Sequence, residues 1–154
     1  MNVGATTDVL VVGAGLAGLF LALRLAPRRC TVLSPTVLGQ AAASAWAQGG
    51  LAAALDPADS AEQHAADTIA AGAGLVDPQV ALLIAREGPA AVAALANLGV
   101  PFDRTQTERF ALSLEAAHSQ ARVARVAGDL AGRAIMETLV TAVRRATHIQ
   151  VLEG

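Results

Sequence analysis

The sequence predicts an α/β fold of the Rossmann-like kind, organised around a parallel sheet. Three observations predict it. The apolar run Asp8-Val-Leu-Val-Val reads as a strand of the fully buried type, and Gly13-Ala-Gly15-Leu-Ala-Gly18 follows it without a gap. Leu19 to Leu25 continue at helical spacing. Pro27-Arg28-Arg29 stops that helix, and Cys30-Thr-Val-Leu33 makes a second short strand, which completes one β-turn-α-β unit.

The remaining elements follow in order. Residues 58–71 predict an alanine-rich helix. Asp77-Pro78 starts another, with Asp as N-cap and Pro at the first helical position. Gly88-Pro89 is expected to break that helix in two, and Asn97-Leu98-Gly99 to end its second piece at a glycine. Residues 100–128 read as loops and short strands. Asp129 is expected to cap a last helix with Leu130, Ile135, Leu139 and Val143 on one face, and Ile149-Gln-Val-Leu152 is a final strand.

The glycine turn carries chemistry. Gly13 permits the tight turn, Gly15 lets a pyrophosphate approach the backbone, and Gly18 lets helix and strand pack closely. The helix N-terminus supplies free N–H groups and partial positive charge. A glycine-rich turn without a ligand is the plainer reading, but strand, helix and second strand together favour dinucleotide binding. The acidic residue that usually holds the ribose is missing, since the second strand ends Leu33-Ser34-Pro35. A Ser34 hydroxyl bonds a ribose more weakly than a carboxylate does.

Composition limits the other classes. The 154 residues are 54% hydrophobic and 16% charged, so the chain can bury a core. Net charge is −2 and the 11 basic residues, all arginine, form no long run, which argues against nucleic acid. Cys30 is alone, which fits a reducing compartment and excludes an internal disulfide. The uncharged run Val9 to Leu23 is shorter than the ~20 residues that cross a bilayer. Met1 to Asp8 lacks the basic start of a signal peptide. A soluble cytoplasmic protein is expected, without metal or membrane.

Residues 44–50 read SAWAQGG, with the only Trp beside two glycines. Together with DVLVVGAGLAGL, LALRLA and the strand ending at Ser34, this loop resembles the FAD-binding start of the succinate dehydrogenase and fumarate reductase flavoprotein superfamily. DTIAAGAGLVD (67–77), LGVPFDR (98–104), LEAAHS (114–119) and AGDLAGRAI (127–135) continue the likeness in the same order, with the L-aspartate oxidase family the nearest branch. The resemblance implies FAD bound by Gly13, Ala14, Gly15, Leu16, Ala17 and Gly18, by Ser34 and Pro35, and by Ala43, Ser44, Ala45, Trp46, Ala47, Gln48, Gly49 and Gly50. Gly49-Gly50 would lie close to the flat isoalloxazine, with Gln48 and Ser44 bonding its pyrimidine edge and the phosphate–ribityl part. Trp46 fits flavin contact and core packing equally.

Two positions separate branches of the family. Succinate dehydrogenases carry a flavin-linked His where Ala43 stands, so the resemblance implies non-covalent FAD. Glu115 matches a glutamate that aspartate oxidases place at the substrate, where it can pair with the ammonium of aspartate. A solvent-facing loop carboxylate is the bland alternative for Glu115, and a structural role is the simpler reading of His118 and Ser119. The implied reaction takes L-aspartate to iminoaspartate, with hydride passing to flavin N5 and reoxidation by oxygen or fumarate. It begins NAD synthesis, with quinolinate synthase as partner. The chain is read as the N-terminal part of an FAD-binding domain. The capping domain, the C-terminal helical domain and the catalytic residues are expected beyond Gly154. Pro35 replaces a frequent Lys, and only Arg122 and Arg125 stand where the family has consecutive basic residues. A fumarate reductase-like flavoprotein, a nucleotide-binding module without chemistry, and a poorly folding fragment stay open as alternatives.

Overall fold

The computed structural model describes residues 7–40 and 42–154. The chain forms two compact units: the first takes Met1–Ala47 and Gly132–Gly154, the second Gln48–Ala131. The boundary between them falls within the loop SAWAQGG, after Ala47.

The first unit is the predicted parallel unit with its closing elements. Strand β1 (Val9–Val12) leads through the glycine turn into helix α1 (Leu16–Arg24), and β2 (Cys30–Ser34) returns beside β1. A 3₁₀ turn covers Ala43–Trp46, and the unit ends with helix α4 (Ala131–Arg145) and strand β6 (Ile149–Glu153). The sheet order is β1-β2-β6, all parallel, with Val11 opposite Val32 and Val32 opposite Val151. Leu19, Ala22, Cys30, Val32, Ile135, Leu139 and Val143 are buried. Each fully buried Leu or Val contributes about 1.5–3 kcal/mol over exposure.

Two expectations need correction here. Strand β1 is not buried on both faces: Val11 is covered, whereas Leu10 is 57% and Val12 79% exposed. The pleat sends alternate side chains to opposite faces, and among the described residues only one of those faces is covered. Helix α4 starts at Ala131 rather than at an Asp129 cap, so Leu130 lies before it and is half exposed, while Ile135, Leu139 and Val143 do share the buried face.

The second unit contains helices α2 (Ala61–Ala71) and α3 (Pro78–Asn97) and a small antiparallel sheet. Its strands are β3 (Leu51–Ala52), β4 (Leu112–Ser113) and β5 (Val123–Ala124), in the order β3-β5-β4. Ser60 caps α2 by accepting from the Gln63 N–H, and Asp77 caps α3 by accepting from Gln79 and Val80. Helix α3 ends as predicted, with Gly99 at φ +103 just past it and Val100 N–H bonded back to the Leu95 carbonyl.

Gly88-Pro89 does not divide α3, which runs unbroken for 20 residues with Pro89 inside. Pro89 removes one backbone hydrogen bond, a cost of about 3 kcal/mol or more in an isolated helix. Packing on both sides of it offsets that loss. Ala81 and Ala85 join a buried cluster with Ala65 of α2, and Val92 and Leu95 are buried beyond the proline.

Candidate cofactor site

In the first unit the three glycines of the turn differ in why they are glycine. Gly13 turns at φ +107, a conformation that L side chains rarely adopt. A side chain on Gly18 would run into the carbonyl of Gly13, so packing of α1 on the turn requires it. Gly15 is needed for neither reason. Its backbone is extended at φ −80 and ψ −176, and an added Cβ would meet nothing nearer than Ser44 Oγ at 3.4 Å. The chain leaves a shallow cradle at Gly15 that any side chain would fill, which fits the close approach of a pyrophosphate.

Helix α1 presents its N-terminus to the same place. It has no acidic residue in its first turn to offset its positive end. Ser44 Oγ accepts the Leu16 N–H at 3.2 Å. A hydroxyl has one hydrogen and two lone pairs, so Ser44 keeps its hydrogen to donate to an anionic oxygen. The Ala43–Trp46 turn thereby sits against the glycine turn.

That turn is also held from α4. The Gly132 N–H donates to the Ala47 carbonyl at 3.0 Å. A side chain on Gly132 would overlap the carbonyl oxygens of Ser44 and Ala47. Gly132 was hidden within AGDLAGRAI, and its signal was a glycine just inside a predicted helix, where a close backbone approach is a usual reason for one.

The other predicted residues are placed as follows. Ser34 is buried at the end of β2, and its Oγ donates to the Thr36 carbonyl at 2.6 Å. Its hydrogen is therefore engaged, and towards a ribose it can only accept. Pro35 is exposed beside it. Glu153, at the same end of β6, accepts the Leu38 N–H at 2.8 Å and so fixes the loop after Pro35. Trp46 is 80% exposed. It lines an open groove with Leu38, Met136 and Val140. Ala14 and Ala45 are half-buried, and Ala17, Ala43 and Ala47 are exposed.

In the second unit, Gln48 and Gly49 are exposed, and an added Cβ on Gly49 would meet nothing within 4 Å. Gly50 has its own packing reason, because a Cβ there would strike the carbonyl of Ala124 and the side chain of Val123. Glu115 is exposed and opens a turn closed by the His118 N–H to the Glu115 carbonyl at 3.2 Å, with Ala117 at φ +69.

Behind that turn lies an ion cluster that sequence reasoning missed. Arg122 is fully buried and bonds Asp59 in a fork, Nε to Oδ2 at 2.8 Å and Nη2 to Oδ1 at 2.9 Å. Its Nη1 reaches Asp67 Oδ2 at 2.5 Å and His118 Nδ1 at 3.1 Å. Asp67 Oδ2 also accepts from the Ser119 backbone N–H and hydroxyl at 2.8 and 2.7 Å. Those Ser119 bonds and Arg122 hold the Asp67 carboxyl far below the usual carboxylate range, and Arg122 lowers Asp59 despite its burial. His64 packs against His118 with ring centres 5.7 Å apart, and burial followed by the charge of Arg122 pushes its pKa down. Among the described residues no group of three or more His, Cys, Asp or Glu is placed to hold a metal ion.

A parallel β-α-β unit with a glycine cradle at a helix N-terminus defines a dinucleotide-binding α/β protein. Residues 8–154 match the family described as FAD binding domain, and the chain belongs to that family; its cofactor is FAD. The chain is 59% identical over 148 residues to a Caulobacter vibrioides protein named L-aspartate oxidase, covering 94% of this chain and 29% of the relative. It is 48% identical to a Mesorhizobium japonicum protein of the same name, covering 94% and 28%. Among solved structures it resembles Mycobacterium smegmatis Sdh1 in the apo form, at TM-score 0.85 and 32% identity over 95% of this chain and 27% of that one. It also resembles the Escherichia coli quinol fumarate reductase subunit FrdA, at TM-score 0.86 and 26% identity over 94% and 25%. The chain thus spans less than a third of each of these proteins.

Proposed function

We propose that the whole protein oxidises L-aspartate to iminoaspartate with FAD, and that oxygen or fumarate then takes the electrons. The observation that carries this reading is the 59% identity to a protein named L-aspartate oxidase, sustained over 94% of the chain. When bound, FAD supplies the acceptor for the hydride that leaves the substrate carbon. This chain's residues do the holding. The Gly15 cradle and the α1 N-terminus take the pyrophosphate, and the Ser44 hydroxyl donates to it. Ser34 and the loop at Pro35 face the ribose. Gln48 would supply hydrogen bonds to the flavin, Gly49 would leave room for it, and Trp46 would offer it an aromatic contact. Ala43 offers no nucleophile, so the flavin is held non-covalently. Glu115 accepts from the ammonium of aspartate, a group that succinate and fumarate lack. The product then enters NAD synthesis through quinolinate synthase, in the cytoplasm.

A fumarate-reducing flavoprotein is the second reading, favoured by the likeness to the E. coli quinol fumarate reductase. Glu115→Gln in the whole enzyme separates the two. It removes one charge at nearly constant shape, and a hydrogen bond to a charged group is worth about 1.5–3 kcal/mol. The expected result is a ten- to hundredfold fall in kcat/KM for aspartate, with fumarate reduction largely kept. Equal losses on both substrates would end the ammonium assignment.

A further inference from the structure

The turn that carries Glu115 is anchored more firmly than a surface loop needs. Its tip, Leu114 to Ala117, is exposed, while the two residues that follow are tied down by buried charge. Ser119 gives both its N–H and its hydroxyl to Asp67, and His118 accepts from Arg122. Replacing a buried ion cluster by apolar side chains is commonly neutral or stabilising, so such a cluster is weak evidence for stability. What this one supplies is position.

It also sets the chemistry of His118. A guanidinium has donors only, so the 3.1 Å contact between Arg122 Nη1 and His118 Nδ1 requires Nδ1 to accept. The ring proton is then on Nε2. Among the described residues Nε2 has no hydrogen-bond partner, and it is not a buried orphan, since His64 Nδ1 is the one atom of that kind. His118 therefore offers an accessible donor. Glu115 offers an accessible acceptor at the other end of the same hydrogen-bonded turn, whose first and last Cα atoms lie within about 7 Å. An acceptor and a donor carried on one short turn are the complement of the ammonium and the carboxylate of one α-amino acid.

We propose that His118 donates from Nε2 to a carboxylate of the substrate, and that Arg122 is the residue that positions it. The inference deepens the reading of Glu115 as the ammonium contact. Arg122 meets no substrate itself; it acts through the ring orientation and tautomer of His118.

The test uses the whole FAD-loaded protein and three variants. His118→Asn places an amide oxygen where Nδ1 stood, so Arg122 keeps a partner while the outward donor is lost. The expected result is a rise of about tenfold in KM for aspartate and in the calorimetric Kd for succinate. KM should move more than kcat, and the flavin content should be unchanged. Arg122→Lys keeps the charge but cannot fork or fix the ring, and should raise the same KM and Kd in part. His118→Gln, whose amide reaches nearer to Nε2, should recover some of the loss. An unchanged Kd for succinate and KM for aspartate in His118→Asn would overturn the proposal, whether or not Arg122→Lys folds. Succinate lacks an ammonium, so its affinity reports on His118 alone. A loss there with aspartate kinetics indifferent to Glu115→Gln would uphold His118 and remove only the Glu115 reading.

Discussion

Gly15 and Gly18 stand three residues apart in one turn, yet alanine at each should have opposite consequences. At Gly15 the backbone already suits an L residue, and the new Cβ would stand 3.4 Å from Ser44 Oγ. Removing a glycine lowers unfolded-state entropy, worth about 0.4–1 kcal/mol of stability. Alanine is a poorer N-cap than glycine by a similar amount, since capping differences run to about 1 kcal/mol. The two nearly cancel, so Gly15→Ala should leave the flavin-free protein within about 0.5 kcal/mol of the parent. At Gly18 the methyl would overlap the Gly13 carbonyl, and overpacking against backbone costs about 1–3 kcal/mol. For FAD the order reverses. The Gly15 methyl fills the cradle, and an affinity loss of tenfold corresponds to about 1.4 kcal/mol. The assay pairs urea unfolding of the flavin-free protein with FAD titration followed by flavin fluorescence. Gly15→Ala should unfold normally and bind FAD at least tenfold more weakly, and Gly15→Val should abolish binding. Unchanged FAD affinity in Gly15→Ala would refute the division of labour among the three glycines.

Two further outcomes are expected. Acid precipitation of the holoprotein should release all its flavin to the supernatant, because Ala43 has no side-chain nucleophile; flavin retained in the pellet would contradict that placement. Stability should fall towards acid in two stages. A pKa lowered by folding means that the folded state holds fewer protons than the unfolded state, so stability is lost as pH falls. His64, whose pKa burial lowers first and Arg122 second, begins the loss below about pH 6.5. Asp67 and Asp59, lowered by Ser119 and Arg122, add to it below about pH 4. Urea midpoints between pH 8 and 3 check this, and midpoints that rise towards acid would exclude it.

The parts of the fold that were legible in the sequence are those set by local chemistry. The β1-turn-α1-β2 order follows from an apolar run, three glycines and a helical repeat that sit next to one another. Asp77 and Gly99 mark helix ends through bonds to their own neighbours, whereas Ser60, which moves the start of α2 from the expected residue 58 to Ala61, carried no separate signal. What stayed hidden depends on distant partners. Pro89 reads as a break because the alanines that pack against α2 have no signature of their own. The ion cluster joins Asp67 of α2, Asp59 just before its cap, and His118 and Arg122 of a separate loop, and no spacing rule connects them. Exposure of Leu10 and Val12 was equally unreadable, since an apolar strand looks the same whichever face is covered. For the candidate site, the sequence marked Gly15 and Ser44 but not their contact with the α1 N-terminus, nor the hold of Gly132 on Ala47.

The first unit is discontinuous, and this sets an order of events during synthesis. The central strand β2 pairs with β6, Cys30 opposite Ile149, so half of its hydrogen bonding is made by residues translated more than a hundred positions later. The whole second unit leaves the ribosome in between. Closing so long a loop is slow, because its entropy is lost before any contact rewards it. Meanwhile β1, α1 and β2 are exposed as an open apolar fragment, the kind of nascent surface that chaperones hold. The Ala47 carbonyl gains its bond from Gly132, and β2 its pairing with β6, only after the second unit has been translated. A chain halted before α4 would thus carry the full glycine motif beside an Ala43–Trp46 turn that still lacks its tie to Gly132.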